Sequence, residues 1–257
     1  MFMRELKIEV SHFDIKTPKL QHGREIRIAL ISDLHSYMYR NEQEGLIALI
    51  EAQSPHIAAL CGDIVDEKIR PRGAYTLCEK LTKRMPCFYV TGNHEFRRND
   101  VPKIKEKLTS LGVRVLSNEY VKVEAAGNSF ILAGADDDEG YMGHDRWMTA
   151  VKAGLLGLER ESGPKILMVH KPHLVKYFSD YGFDAGLCGH THGGQIRTPF
   201  KKRGLYASGQ GLFPPLSEGL YEEGGTKFIV SRGLAIEPHL PRLFNPPQLV
   251  LVTVSGG

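Results

Sequence analysis

Short, nearly continuous apolar runs alternate with amphipathic segments through the first part of the chain. The runs at 27–32, 57–61 and 88–90 follow one another at intervals of about 30 residues, the size of one strand–helix–strand unit. Between them, apolar residues at 42–53 and 73–84 recur with the period of an α-helix. Such units place their strands parallel in one sheet. The pattern therefore predicts an α/β fold.

The second half of the chain is richer in predicted strands. Runs at 120–124 and 129–133 flank a glycine-containing turn and predict a hairpin, and a helix is predicted at 145–161. Further strands are predicted at 165–169, 185–188, 227–231 and 248–254. The segment 196–226 is rich in glycine and proline without a regular period, which is typical of a long functional or mobile loop. We expect one domain over 1–257, with two packed mixed β-sheets flanked by helices.

The overall charge limits the possible partners and location of the chain. Its 33 lysines and arginines against 30 acidic residues give a net charge of +3, which does not favour nucleic acid as a partner. No apolar run approaches the roughly 18–20 residues of a membrane span, and residues 1–7 lack the order of a signal peptide. The four cysteines lack Cys-x-x-Cys spacing and are interpreted as reduced core residues. We expect a cytoplasmic protein, with peripheral contact with a membrane as an open alternative, and the oligomeric state is not indicated.

Five polar motifs stand directly after predicted strands. They are Asp33-Leu34-His35, Gly62-Asp63, Gly92-Asn93-His94-Glu95, His170 and Gly189-His190-Thr191-His192. In open α/β sheets, ligands bind beyond the carboxyl ends of the strands. We therefore expect the five motifs to converge at one rim.

The side chains in these motifs predict a metal centre. Carboxylate oxygen, amide oxygen and imidazole nitrogen suit Mn, Fe or Zn, and the absence of thiolate disfavours a structural zinc site of the cysteine type. The seven candidate ligands are Asp33, His35, Asp63, Asn93, His170, His190 and His192. Seven are too many for one ion, and they suit two divalent ions that share a carboxylate. Two ions about 3.5–4 Å apart can stabilise both the attacking and the leaving oxygen of an in-line phosphoryl displacement.

The remaining histidines carry less information. His12, His22, His56 and His239 have no motif around them and are interpreted as surface or capping groups, while His144 is undecided. His173 lies three residues after His170, from where it could reach the rim and bind substrate.

The ordered motifs resemble those of the calcineurin-like metallophosphoesterase superfamily. The longer strings at 62–66 and 189–195 are similar to a bacterial branch of phosphodiesterases, which includes enzymes acting on lipid-linked pyrophosphates such as UDP-diacylglucosamine pyrophosphatases. Val230–Leu234 and Leu243–Pro247 extend the resemblance towards the C-terminus. The resemblance implies a four-layer sandwich of two β-sheets flanked by helices, with the site at one edge.

The resemblance also implies a role for each motif residue. One metal is then held by Asp33, His35, Asp63 and His192, and the other by Asp63, Asn93, His170 and His190, with Asp63 bridging. His94 is implied to contact the substrate phosphate and to protonate the leaving oxygen. The complete ligand set disfavours a non-catalytic scaffold. Ile64-Val65-Asp66 stands where Ser/Thr protein phosphatases of this superfamily carry an arginine, which disfavours protein phosphatase activity.

The expected function is hydrolysis of a phosphodiester or pyrophosphate, lipid-linked or nucleotide-linked, by a metal-bridging hydroxide. The alternatives are a nuclease or cyclic-nucleotide phosphodiesterase with the same dimetal core, and a metal-binding scaffold. Arg97 is a candidate for binding substrate phosphate. Glu95 is expected either to orient His94 or a ligand, or to be an ordinary acid at a helix start. Asp66 is expected to order a ligand or to cap the following turn.

The segment 205–216 follows shortly after the last motif and is expected to lie near the metals. It holds two aromatic residues and three leucines, yet has no strand or helix period that would bury them. Lys201-Lys202-Arg203 precedes it and would suit an anionic head group or a membrane surface. The segment either grips an apolar part of the substrate or folds its side chains onto the core.

Overall fold

The computed structural model describes residues 7–197, 204–236 and 242–257. The strands are β1 (Glu9–Thr17), β2 (Glu25–Ile31), β3 (Ile57–Cys61), β4 (Cys87–Val90), β5 (Arg114–Val115), β6 (Glu119–Ala125), β7 (Asn128–Ala135), β8 (Lys165–Val169), β9 (Ala185–Cys188), β10 (Tyr206–Ala207), β11 (Gly211–Leu212), β12 (Gly219–Glu223), β13 (Thr226–Val230) and β14 (Gln248–Gly256). The α-helices are α1 (Glu44–Glu51), α2 (Arg72–Thr82), α3 (Asn93–Arg97), α4 (Val101–Ser110) and α5 (His144–Gly154). Short 3-10 turns occupy Asp138–Gly140, Leu158–Arg160, Pro172–Tyr181 and His192–Gly194.

Most strands belong to two six-stranded mixed sheets. The first has the order β1-β14-β2-β3-β4-β5, in which β14 and β2 pair antiparallel and the other neighbours are parallel. The second has the order β12-β13-β9-β8-β7-β6, with four parallel central strands and an antiparallel strand at each edge. The predicted α/β fold with two mixed sheets is confirmed.

The two sheets pack on one another through alternate residues of their strands. Leu30 of β2 and Ala59 of β3 share this inner core with Met168 of β8 and Leu187 of β9. The intervening residues face outward, because successive side chains of a strand point to opposite faces. On the first sheet they meet α1, α2 and α4, and on the second they meet α5 and the 172–181 turn. The layers are therefore helix, sheet, sheet and helix.

β1, α3, α4 and β5 are among the elements that were not predicted from the sequence. β1 is half-exposed along most of its length, so it lacks the continuous apolar run that marks the buried strands. α4 buries only Val101, Ile104 and Leu108, a stripe too sparse to stand out between charged residues.

Two predictions of secondary structure were wrong. The helix expected at 145–161 ends at Gly154, and Gly157 turns left-handed with φ of 90°, so only a short 3-10 turn follows. The segment 196–226, expected to be a loop, contains β10, β11 and β12. These strands are short or largely exposed, and so leave no hydrophobic period in the sequence.

Within the three described ranges, none of the helices is both long and apolar enough to span a bilayer. Lys201-Lys202-Arg203 and His239, for which the sequence suggested roles, lie outside the described residues.

Candidate metal centre

The carboxyl ends of five strands meet at one edge of the sandwich, where they bring the seven candidate ligands together. β2, β3 and β4 of the first sheet lead into Asp33, Asp63 and Asn93. β8 and β9 of the second sheet lead into His170 and the 189–192 motif. Three sets of three possible ligand atoms lie within 4.8 Å of one another, from Asp33, His35 and His192, from Asp63, His170 and His190, and from His35, Asp66 and His94. The first two sets consist of predicted ligands and are called the first and the second cluster.

The first cluster joins the two sheets. The Nε2 atoms of His35 and His192 lie 3.2 Å apart, and Asp33 Oδ1 lies 3.5 Å from His192 Nε2. Asp33 is fully buried, and one of its oxygens also accepts the backbone N–H of His190. A carboxylate and two imidazoles thus point at one small volume.

The second cluster contains the predicted amide ligand at its side. Asp63 Oδ2 lies 3.1 Å from His170 Nε2, and both side chains are buried. Asn93 is the first residue of α3 and is also buried. Among the described residues, its Oδ1 atom has no hydrogen-bond partner. Burying a carbonyl oxygen without a hydrogen-bond donor costs free energy. A metal ion bound to the oxygen would take the place of the donor.

Asp63 lies between the clusters. Its Oδ2 atom is 3.1 Å from His170 Nε2 and 3.8 Å from His35 Nε2, one residue from each set. Its other oxygen accepts the backbone N–H of His94 at 2.9 Å. One carboxylate oxygen is therefore in reach of both ligand sets.

The buried charges of the centre favour the metal-binding form of some ligands and the protonated form of others. Burial raises the pKa of Asp33, and the charges of Asp63 and Asp33 outweigh burial and raise the pKa of His170 to about 10. Burial alone would raise the pKa of Asp63, but the facing His170 and His35 outweigh burial and hold that pKa well below its usual range. Burial lowers the pKa of His190 and His192 far below the ordinary value, which keeps both imidazoles neutral. Metal binding requires neutral imidazole and ionised carboxylate. The oxygen and nitrogen donors together fit Mn, Fe or Zn.

Two of the imidazoles are fixed through their second ring nitrogen. His35 Nδ1 lies 3.1 Å from Asp66 Oδ2, and His170 Nδ1 lies 2.9 Å from the carbonyl oxygen of Cys61. If each Nδ1 carries the proton, each Nε2 is left as an acceptor that faces the centre.

Asp66 performs both of the roles considered for it. While Oδ2 contacts His35, Oδ1 accepts the backbone N–H groups of Lys68 and Ile69 at 2.8 Å. Asp66 Oδ2 also lies 3.6 Å from His94 Nδ1. The carboxylate therefore connects a ligand, the candidate acid and the turn that follows β3.

Glu95 organises the loop that carries Asp63. Its buried carboxylate accepts the backbone N–H groups of Asp63, Val65 and Gly92 at 3.0, 2.8 and 2.8 Å. Burial, together with the charge of Asp63, raises the pKa of Glu95 to about 7. The structure supports both readings of this residue, since the bond from Gly92 caps the start of α3 and the bonds from Asp63 and Val65 order the ligand loop.

Glu95→Ala is expected to destabilise the metal-free protein by about 3 kcal/mol or more, because three buried N–H groups lose their acceptor at about 1–3 kcal/mol each. Urea unfolding of the metal-free protein measures the loss. Glu95→Gln keeps one acceptor oxygen and should lose less. Equal stability of wild type and Glu95→Ala would show that water replaces the carboxylate.

The ligand turns have unusual backbone conformations. Asp33, His35, Asp63, His190 and His192 have φ values of 49°, 47°, 50°, 74° and 49°. A left-handed conformation is uncommon for residues other than glycine, and it persists only where the surroundings enforce it. The strand-end loops are therefore held in shape by their packing.

A cavity of about 240 Å³ opens over the clusters. Its lining includes Asp63, Asn93, His94 and Arg97, and on the opposite wall 190–192, Gln195 and 206–208. His94 is partly exposed, its ring meets the ring of His35 edge-on at 4.3 Å, and its Nε2 atom lies 4.0 Å from Asp63 Oδ2. The position lets His94 reach a group in the cavity while it stays outside the two clusters.

Of the two predicted substrate-binding residues, Arg97 lines this cavity and His173 does not. Arg97 lines it, and its guanidinium donates to both oxygens of Glu139 at 2.9 and 2.7 Å, which fixes its direction. His173 is half-buried, with its ring centroid 6.5 Å from that of His190. It is therefore near the centre without lining the cavity.

Two residues of the site were missed by sequence reasoning. Gln195 lines the cavity, and Asn245 contacts the turn that carries His192. Tyr206 and Ser208 also line the cavity, but they belong to the segment 205–216. The expected position of 205–216 near the clusters agrees with the first residues of that segment. Gln195 and Asn245 could have been found only from the loop geometry, because neither residue follows a predicted strand directly and so no sequence pattern indicates its position.

Comparison with known proteins identifies relatives of this arrangement. The family model "Calcineurin-like phosphoesterase" matches residues 26–194. A transmembrane protein with a metallophosphoesterase domain from Danio rerio is 32% identical over 193 residues, which is 70% of this chain and 43% of that protein. A metallophosphoesterase of Aquifex aeolicus is 31% identical over 97% of this chain and 92% of its own length. This chain thus spans less than half of the first relative.

A solved structure shares the fold. Phosphopantetheinyl hydrolase from Mycobacterium tuberculosis superposes with a TM-score of 0.52 at 14% identity, over 81% of this chain and 89% of that one. At this identity, the likeness concerns the fold.

Proposed function

The chain belongs to the calcineurin-like phosphoesterase family, and we propose that it uses two divalent metal ions to hydrolyse a phosphodiester or pyrophosphate bond. The observation that carries the proposal is the position of Asp63, whose Oδ2 atom is within 3.8 Å of His35 Nε2 and 3.1 Å of His170 Nε2. A carboxylate shared between two ligand sets suits a pair of ions.

The ligands divide into two sets around that carboxylate. We assign Asp33, His35, Asp63 and His192 to one ion and Asp63, Asn93, His170 and His190 to the other. When bound, two such ions would neutralise phosphate oxygens and make hydroxide available at neutral pH. The protein itself fixes the donors, through Asp66 behind His35 and through Cys61 behind His170.

His94 is proposed as the acid on the leaving side. It lines the cavity, it is outside both ligand sets, and Asp66 Oδ2 lies 3.6 Å from its Nδ1 atom. A carboxylate on that side of the ring can orient the imidazole, with Nε2 directed to the leaving oxygen.

Arg97 and His173 are proposed to bind the part of the substrate next to the scissile phosphorus. The Glu139 carboxylate accepts hydrogen bonds from Nε and Nη2 of Arg97. The guanidinium has further N–H groups that could donate to a phosphate oxygen. A pyrophosphate would offer such an oxygen on its second phosphorus.

Direct assays of the purified protein test the function. The metal-free protein should be inactive on bis(p-nitrophenyl) phosphate and regain activity with Mn²⁺ or Zn²⁺, with elemental analysis giving about two ions per chain. A panel of diesters, monoesters, cyclic nucleotides, oligonucleotides and nucleotide-lipid pyrophosphates then ranks the substrate classes by kcat/KM. Full activity in the presence of a chelator, with no bound metal, would contradict the proposal.

We further propose that the substrate carries an apolar or membrane-associated portion. Tyr206 lines the cavity and is 54% exposed, and Leu212 and Phe213 are 68% and 59% exposed nearby on the same β10–β11 hairpin. Exposed apolar side chains beside a catalytic cavity are a surface on which an acyl chain can pack. The Danio rerio relative is by its name a transmembrane protein, which agrees with chemistry close to a bilayer.

Replacing Leu212 and Phe213 together by Asp is expected to lower kcat/KM for a lipid-bearing pyrophosphate by about tenfold or more, since about 1.4 kcal/mol of apolar contact is a factor of ten. Hydrolysis of bis(p-nitrophenyl) phosphate and the melting temperature should not change. The matched control replaces Met142 and Leu156, each 79% exposed near α5, by Asp. Equal loss on both substrates with a lower melting temperature would favour a packing role for the hairpin instead.

A further inference from the structure

The turn from His192 to Gln195 has an unusual backbone conformation within the metal centre. Its four residues all have left-handed φ values, of 49°, 62°, 73° and 57°. Gln195 has ψ of −63°, and the N–H of Ile196 donates to the carbonyl of Gly194 at 2.7 Å, which closes a γ-turn of the rare hand. Such a conformation needs outside contacts to persist.

One buried side chain holds both ends of this turn. The Nδ2 group of Asn245 donates to the carbonyl oxygen of His192 at 2.7 Å and to that of Gln195 at 2.9 Å. Asn245 is 1% exposed and comes from the Leu243–Pro247 segment, which the sequence singled out without a role. The carbonyl oxygens of His192 and Gln195 thus accept hydrogen bonds from the same side-chain amide.

The turn and the asparagine also fit each other in shape. A Cβ atom on Gly193 would come within 2.6 Å of Asn245 Oδ1 and 2.8 Å of Arg232 Cγ. The peptide of Gly193 is therefore pressed against these two side chains, and its left-handed φ suits glycine. Removing the Asn245 side chain would therefore remove one of the two side chains that pack against the turn.

The His192 imidazole depends on this support in a way that those of His35 and His170 do not. His35 and His170 are fixed through their second ring nitrogens by Asp66 and Cys61. For His192 the fixed part is the backbone, which Asn245 holds through the carbonyl. The direction of its ring therefore follows the conformation of the turn.

We propose that Asn245 is a positioning residue for the metal site formed by Asp33, His35, Asp63 and His192. By holding the His192–Gln195 turn, it keeps His192 Nε2 directed at that site. The other site receives His170 and His190, which precede the turn, and does not depend on Asn245. The proposal rests on the two-metal function above. It predicts that the two metal sites differ in how far their affinity depends on Asn245.

The test compares metal affinity in three variants. Asn245→Ala removes the amide, and Asn245→Asp keeps its shape while replacing the N–H donors by a carboxylate oxygen. Asn128→Ala is the matched control, because Asn128 Nδ2 also donates to two backbone carbonyls, of Glu25 and Ala126, in a hairpin away from the centre. Mn²⁺ titration with elemental analysis, and the melting temperature of each metal-free protein, are the readouts.

We expect the wild type and Asn128→Ala to bind two ions, and both Asn245 variants to bind one ion normally and the other about 10–100-fold more weakly. The loss in Asn245→Asp would be informative, because an added carboxylate would by itself attract a cation. Melting of the metal-free Asn245→Ala protein should fall about as far as that of Asn128→Ala, since each loses two hydrogen bonds to backbone carbonyls.

Two results would overturn the positioning role. One is normal affinity for both ions in both Asn245 variants, and the other is equal loss of both ions with a strongly lowered melting temperature. A wild type that binds fewer than two ions would contradict the two-metal function instead, so the two failures can be told apart.

Discussion

Asp63→Ala is expected to abolish hydrolysis and to release both metal ions. The Oδ2 atom of Asp63 lies 3.1 Å from His170 Nε2 and 3.8 Å from His35 Nε2, so each ligand set loses its shared carboxylate. Without it, His170 and His35 also lose the negative charge that faces them. We expect turnover to fall by at least about 10³-fold, equivalent to about 4 kcal/mol in the barrier. Rate assays with added Mn²⁺ and elemental analysis of the purified variant measure the two losses.

Two further variants test whether this loss comes from the charge of Asp63. Asp63→Asn keeps the shape and removes the charge, and should also lose both ions. Asp14→Ala, in an exposed position of β1, should keep normal activity and two ions. Normal turnover in Asp63→Ala would show that the two-metal assignment is wrong.

His94→Ala is expected to lower turnover by about 10²–10⁴-fold while both ions stay bound, because general acid catalysis contributes about that much. The backbone N–H of His94 still reaches Asp63 Oδ1 in this variant, so the ligand loop keeps its contact. Kinetics on substrates with leaving groups of different pKa provide the second measurement. The loss should shrink for nitrophenolate, which leaves readily without a proton.

The exposed His12→Ala is the control for removal of an imidazole and should behave as the wild type. Metal depletion in His94→Ala would make His94 a ligand. A loss of equal size for good and poor leaving groups would exclude its role as the acid.

The convergence of the five motifs could be predicted because it depends on simple rules. A buried parallel strand such as β3 is a continuous apolar run, and a residue just after its end, such as Asp63 two residues on, must lie at the carboxyl edge of the sheet. Neither step needs the geometry of the loops. The same reasoning brought His170 and Asn93 to that edge from different sheets.

The supports of the centre could not be predicted in this way. The left-handed φ of Asp33 and His192 is set by packing between loops, and φ leaves no mark on residue type unless glycine is required. Asn245 acts on a backbone 53 residues away in the sequence, through two carbonyl oxygens that every residue possesses. β1 was missed because an edge strand exposes half of its side chains.

The two halves of the sandwich meet at the metal centre, since Asp33, Asp63 and Asn93 follow strands of the first sheet while His170 and His190 follow strands of the second. Each ion would therefore crosslink the sheets at an edge where the inner core ends. An ion at 100 times its dissociation constant adds about 2.7 kcal/mol to the free energy of unfolding. Under the two-ion proposal, the supply of metal would therefore set the stability of the folded chain as well as its turnover.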